Sequence, residues 1–192
     1  MEKQHLSEHE AEWNHLVLYL RNKVYVGDPL DGEKPYQFSS IKLIKLVDPL
    51  TIVPTAKYVL SDHLSKIEQI RKNEVDIFKL DRIFRLANGY FICPPILEIW
   101  DETPYCGRPV IVDGGHRIFL AKKHKLPINC IVISEPILCP LPVLPLDGWH
   151  QVNIFDQIPV DKRNYNPNIP EPENPYKYYR LDLPGSTGPR SK

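Results

Sequence analysis

An α/β fold is predicted for this chain of 192 residues by three features of its sequence. Apolar residues recur at helical spacing in two well-separated stretches, near 8–22 and 61–72. Short β-branched runs stand at 41–47, 110–112 and 128–133, and a glycine pair joins the middle run directly to an apolar segment with a basic end. Strand-like and helix-like patterns that interleave along a chain favour a sheet covered by helices. The length suits one domain of ordinary size with its own core, carrying extensions.

Residues 8–22 place Trp13, Leu16, Val17 and Leu20 on one stripe, with Glu8, Glu10 and Glu12 at the start and Arg21 and Lys23 at the end, as the helix dipole prefers. Asp28 to Ser39, with Pro29, Gly32 and Pro35, reads as a connector. The run from Ile41 to Val47 is strand-like and is halted at Asp48-Pro49. Ser61-Asp62 makes an N-cap, and Leu64, Ile67 and Ile70 supply the stripe of a helix to Lys72. Asp76 to Asn88 carries Ile77, Leu80, Phe84 and Ala87 at helical spacing, closed by Gly89 at the C′ position, which predicts a second, inserted helix. Val110, Ile111 and Val112, bounded by Pro109 and the glycine pair, fit a buried strand. Ile118 to Ala121 followed by Lys122, Lys123, His124 and Lys125 fit a helix stopped by Pro127. The run Ile128 to Ile133 follows as a strand, with Cys130 as a buried free thiol.

Beyond residue 134 the composition changes. Twelve of the twenty prolines lie from Pro127 onward, and Pro136, Pro140, Pro142 and Pro145 exclude a central strand or a helix. Trp149, Phe155, Tyr165, Tyr176, Tyr178 and Tyr179 are too many rings for a disordered linker, so the tail is expected to wrap over the core. Its end, Pro184 to Arg190, is either a frayed terminus or a lid whose Ser186, Thr187 and Arg190 reach phosphate. The chain therefore divides into a helical extension and connector (1–39), a core (40–135) and a proline- and aromatic-rich wrap (136–192).

Twenty-four basic residues balance twenty-four acidic ones, so no overall field draws the protein to nucleic acid. Cys93, Cys106, Cys130 and Cys139 show no CxxC or Cys/His metal spacing, and His5, His9 and His15 form no ligand set. Neither a charged-then-apolar leader nor a long apolar span is seen, and the expected setting is reducing and cytoplasmic, without a membrane. Oligomeric state is left open.

The turn Asp113-Gly114-Gly115-His116-Arg117 is the chemically suggestive element. A helix N-terminus leaves backbone N–H groups without acceptors and favours an anion; glycines admit it closely, His116 donates or exchanges a proton, and Arg117 offers a bidentate fork. The same strand, turn and helix also make up any βα connection, in which Arg117 would be a surface ion-pair partner.

With the strand and helix around it, this turn resembles the signature of the ParB/sulfiredoxin-like superfamily, and the likeness spans residues 40–135. Pro94-Pro95 followed by Ile96 to Trp100 is similar to that family's proline-then-strand element, and Ser61 to Lys72 to the preceding helix. The resemblance implies a nucleotide held by the His116-Arg117 pair, the amides of Gly114 and Gly115, and a Lys with two hydroxyls one helical turn apart, for which Lys57, Ser61 and Ser65 stand here. The plainer reading makes Ser61 an N-cap and Lys57 a solvated cation; His63 is close enough in sequence to approach the same site. Sulfiredoxin chemistry needs a cysteine inside the turn, where this chain has Gly115.

The nearest branch by motif is that of the free-serine kinases. That likeness implies ATP or ADP, with CTP as a further option, Mg²⁺ held at Asp113, and a small hydroxyl-bearing acceptor such as a free amino acid. Asp113, His116 and Arg117 would then be the catalytic set. The Glu base those kinases carry after a proline falls near Ala56, so Asp48 or Asp62 would have to replace it. The alternative is a nucleotide-binding regulatory or interaction module without catalysis. A DNA-associated ParB-like role is disfavoured by zero net charge and by a proline density that forbids a helical reader after residue 134; Lys122, Lys123 and Lys125 read as a solvated helix end.

Overall fold

The computed structural model describes residues 8–26, 32–100, 107–136, 143–165 and 183, with the backbone alone at 8–11. A four-stranded sheet in the order β1-β7-β5-β6 forms its centre, built from β1 (Ser40–Val47), β5 (Ile96–Ile99), β6 (Pro109–Asp113) and β7 (Ile128–Ser134). β7 runs antiparallel to β1, with Ile41 opposite Ile133, and parallel to β5, with Leu97 opposite Val132. β6 closes the edge antiparallel to β5, with Leu97 opposite Ile111.

Alternation along these strands divides the apolar side chains between two faces. Leu97, Ile111 and Cys130 belong to a core shared with Leu64 and Ile67 of α2 (Ser61–Asn73) and Ile118, Phe119 and Ala121 of α3 (Gly115–His124). Ile96, Ile131 and Ile133 join Leu16 and Leu20 of α1 (Glu8–Lys23), together with Tyr36 and Cys93. The sheet is thus the middle of three layers, an α/β fold as the pattern predicts. Each predicted strand is present within a residue or two of its expected bounds, and Cys93 and Cys130 are buried free thiols.

The predicted helix over 76–88 is not there. Residues 76–83 form turns, and β3 (Phe84–Arg85) and β4 (Phe91–Ile92) make a short antiparallel hairpin. Local polar bonding overrides the helical spacing. Asp76 accepts from the Phe78 amide at 3.2 Å, Asn88 accepts from the Tyr90 amide at 3.0 Å, and Gly89 takes φ +86° in the Asn-Gly turn. Of the predicted stripe Ile77 and Leu80 are buried, Phe84 is partly buried and Ala87 is exposed, so the spacing reported burial only in its first half and conformation wrongly.

Past residue 142 the chain wraps onto the helical face of the sheet. Leu146, Trp149 and Val152 enter the α2/α3 core, and Trp149 Nε1 donates to the Pro49 carbonyl at 2.8 Å. β8 (Val143–Leu144) pairs with β10 (Asn164–Tyr165), and β9 (Asn153–Phe155) runs parallel to β2 (Tyr58–Leu60). Of the rings expected to anchor the tail, Trp149 does so, whereas Phe155 and Tyr165 are partly exposed. Tyr176, Tyr178, Tyr179 and the segment 184–190 lie outside the described residues, as do Cys106, Cys139, His5 and His9. Among the described residues no helix is long and apolar enough to cross a membrane.

Candidate functional site

The signature turn is a strand end delivered into a helix start. β6 ends at Asp113, Gly114 sits in the left-handed region at φ +83°, and α3 begins at Gly115. Arg117 and Ile118 donate their amides to the Gly114 carbonyl at 2.9 and 3.1 Å, which leaves the Gly115 and His116 amides as the first-turn donors that no helix can satisfy itself.

Arg117 is 3% exposed. Its Nη2 bonds Asp113 Oδ2 at 2.9 Å and its Nη1 donates to the Cys93 carbonyl. The surface ion-pair reading of Arg117 therefore gives way to a buried one. The guanidinium ties the turn to the chain just before Pro94-Pro95, and Asp113 is held by the same contact. Backbone approach to an anion is not the only demand on Gly114, because a Cβ there would lie 2.7 Å from Pro95 Cβ and 2.8 Å from Arg117 Nη2.

His116 joins two helix starts. Its Nε2 accepts from the amide of Leu60, the cap residue of α2, at 2.9 Å, which assigns the proton to Nδ1. The N-termini of α2 and α3 therefore converge on one imidazole, and the positive ends of both dipoles meet there. Burial, reinforced by His63 and Arg117 and opposed by Asp113 and Asp62, pushes the His116 pKa down to about 4. The ring is neutral at physiological pH. His63 stands across from it with ring centroids 5.1 Å apart, so this histidine does approach the site.

This shift has a measurable sign. A histidine whose folded pKa lies below its unfolded value contributes stability that is full above the unfolded pKa and is lost as pH falls toward the folded one. For His116 the window runs from 6.5 down to about 4. The expected loss is of order 2 kcal/mol after allowance for partial solvation. Urea denaturation from pH 7 to pH 4 should show this slope in the native chain and not in His116→Gln. Glu68, whose carboxyl is drawn to about 2 by its hydrogen bond with Arg71, loses its contribution at lower pH, from 4.5 downward, so the two events separate. Equal slopes in both proteins would refute the assignment.

Of the remaining predicted ligands, Ser61 adjoins Leu60 and so lies at the convergence, Lys57 is held by the tail segment, and Ser65 does not join them. Ser61 is the first residue of α2 rather than its cap, and its hydroxyl donates to Asp156 Oδ1 at 2.7 Å. Ser65 shares the helix face but donates back to the Ser61 carbonyl at 2.9 Å. Lys57 is no free loop cation, since its Nζ pairs with Asp161 Oδ2 at 2.7 Å. Its backbone is fixed by Asn153 and Lys162, at 3.0 and 3.1 Å. Asp156 and Asp161 were not foreseen, because a carboxylate in a proline-rich tail carries no local signal of its partner.

Neither carboxylate offered in place of the missing Glu approaches as a free base. Asp48 caps a one-turn 3₁₀ helix by accepting from the Leu50 amide at 2.9 Å, and Asp62 pairs with Lys66 at 3.3 Å on the α2 surface. Thiol chemistry is equally remote at Cys93 and Cys130, where burial pushes both thiols up to about 12. Among the described residues no three His, Cys, Asp or Glu side chains group as a metal site. Asp113 offers one carboxylate. Mg²⁺ is commonly held by one or two carboxylates plus the oxygens of a bound phosphate, so a single carboxylate would suit such a cation only if a phosphate compound completed its shell.

The arrangement can neutralise and orient an anion: two helix N-termini, the Nδ1–H of a neutral imidazole and the Ser61 hydroxyl at the first residue of α2. Comparison with curated proteins and with solved structures gives no match. The family model described as the ParB CE domain matches residues 16–153, from within α1 to the first residue of β9. That match covers more than half of the chain and contains the whole sheet, the signature turn, Lys57, Ser61 and His116, and by it the chain belongs to the ParB CE domain family.

Proposed function

We propose that this ParB CE domain chain binds the polyphosphate of a nucleotide where α2 and α3 meet, and transfers its terminal phosphoryl group to the hydroxyl of a small molecule, as the free-serine kinases do. ATP or ADP is the first candidate nucleotide, CTP the next, and a free amino acid the first candidate acceptor. The single observation that supports the reading is the bond from the Leu60 amide to His116 Nε2, which draws two helix N-termini together beside Ser61. Phosphates favour such termini because unpaired amides and both dipoles act on the same charge.

In this reading the amides of Gly115 and His116, the Nδ1–H of His116, and Lys57 and Ser61 hold phosphate oxygens. Asp113, kept in place by Arg117, faces the cation that accompanies the nucleotide. Donors aimed at the transferring group stabilise its charge without reorganisation. Arg117 acts by positioning Asp113 rather than by gripping phosphate. A second reading, a nucleotide-binding module without transfer, is favoured by Ala56 standing where the resembling kinases carry a Glu base.

One experiment separates them. The full chain is incubated with Mg²⁺, ATP or ADP, and a panel of hydroxyl-bearing amino acids. A phosphorylated amino acid that disappears in Lys57→Met and Ser61→Ala, both at native stability, supports the transferase. Nucleotide binding with no product across the panel favours the module. No binding of ATP, ADP or CTP overturns both.

A further inference from the structure

We propose that residues 153–163 are an anionic strap that occupies the phosphate cradle from within the chain and lifts away when a phosphate compound binds. This rests on the reading of Lys57 and Ser61 as phosphate ligands.

Each of those two side chains is taken by a carboxylate from one short segment. Asp156 accepts from the Ser61 hydroxyl at 2.7 Å, and Asp161 pairs with the Lys57 ammonium at 2.7 Å. A carboxylate offers the same charged oxygen acceptors as a phosphate, and beside the first residue of α2 its charge is favoured for the same reason. The segment is a stand-in ligand in chemistry as well as in place.

The strap is firmly held at its start and loosely held between its ends. Trp149 and Val152 are buried just before it, and β10 pairs with β8 just after it. Between them every residue from Asn153 to Ile158 is exposed, as are Val160 and Asp161. Among the contacts that retain it are the β9–β2 ladder, the bond from the Lys57 amide to the Lys162 carbonyl at 3.1 Å, and the two side-chain contacts. Exposed ion pairs contribute little, and local opening of a segment with few buried contacts is cheap. A polyphosphate that supplies both anions at once can therefore replace Asp156 and Asp161 without unfolding the core.

The expected consequence is a lowered apparent affinity in the native chain. If the strap is closed about nine-tenths of the time, freeing it strengthens binding about tenfold. The probes are sodium tripolyphosphate and Mg²⁺-ATP, titrated calorimetrically into the full chain and into Asp156→Asn/Asp161→Asn. About 0.15 M salt screens charge changes beyond roughly 8 Å. Amide hydrogen exchange across 153–163 is followed in parallel. Tighter binding by the double variant, with exchange in the native strap rising on addition of tripolyphosphate, supports the proposal.

Binding of equal or lower affinity in the double variant, or strap exchange unchanged by bound tripolyphosphate, overturns the strap and leaves the nucleotide reading standing. Binding with strap release but without phosphorylated product sinks the transferase alone. If neither protein binds tripolyphosphate or nucleotide there is no cradle to guard, and both ideas fall.

Discussion

Arg117→Ala is expected to cost about 3–5 kcal/mol of stability, because it removes one partner of a buried ion pair. The Arg117 side chain is 4% exposed and that of Asp113 14%. Without Arg117 the Asp113 carboxylate and the Cys93 carbonyl lose a charge-assisted partner together. Urea denaturation at pH 7 reads the effect directly. Arg117→Lys should recover only part of it, since an ammonium cannot serve both acceptors with the planar fork that guanidinium provides. Asp113→Asn should fall between the two. A practical consequence follows for any assay of this site: loss of activity in Arg117→Ala would report the turn's collapse, so Lys57 and Ser61 are the informative positions. Near-native stability of Arg117→Ala would mean that the guanidinium is not committed to Asp113 and is available to a ligand.

The local part of this site was legible and the assembled part was not. Val110 to Val112, the glycine pair and the basic end of α3 announce strand, turn and helix within sixteen consecutive residues, so no distant contact was needed to read them. The sequence around Arg117 suggests a phosphate fork or a surface partner, because its second acceptor, the Cys93 carbonyl, lies 24 residues away on another segment. Over 76–88, Ile77, Leu80 and Phe84 keep helical spacing, yet Asp76 and Asn88-Gly89 offer the backbone turn bonds that a helix must give up. The partners of Ser61 and Lys57 lie 95 and 104 residues downstream, and nothing in a proline-rich stretch identifies which of its carboxylates will return to which helix. His63 was legible as a neighbour only because it shares a helix turn with Ser61.

Gly114→Ala and Gly115→Ala should separate the architectural glycine from the ligand-facing one. At Gly114 the backbone stands at φ +83°, where an L side chain costs roughly 1–2 kcal/mol, and the new Cβ would meet Pro95 and Arg117. The Pro95 contacts at 2.7 and 3.0 Å include backbone, so the overlap cannot be relieved by a side-chain rotation alone, and overpacking adds about 1–3 kcal/mol. The sum, about 2–5 kcal/mol, would appear as a lowered urea midpoint with unchanged slope. At Gly115 the nearest atom to a new Cβ is Ile111 Cγ2 at 3.9 Å, which is ordinary contact. Alanine is also the better helix former at the start of α3, so stability should hold or rise by up to about 1 kcal/mol. If a phosphate lies against the α3 amides, the same methyl group intrudes on it, and Gly115→Ala binds nucleotide more weakly while remaining fully folded. Native affinity in a stable Gly115→Ala would place any bound phosphate nearer α2, with Lys57 and Ser61, and would remove the α3 terminus from the cradle.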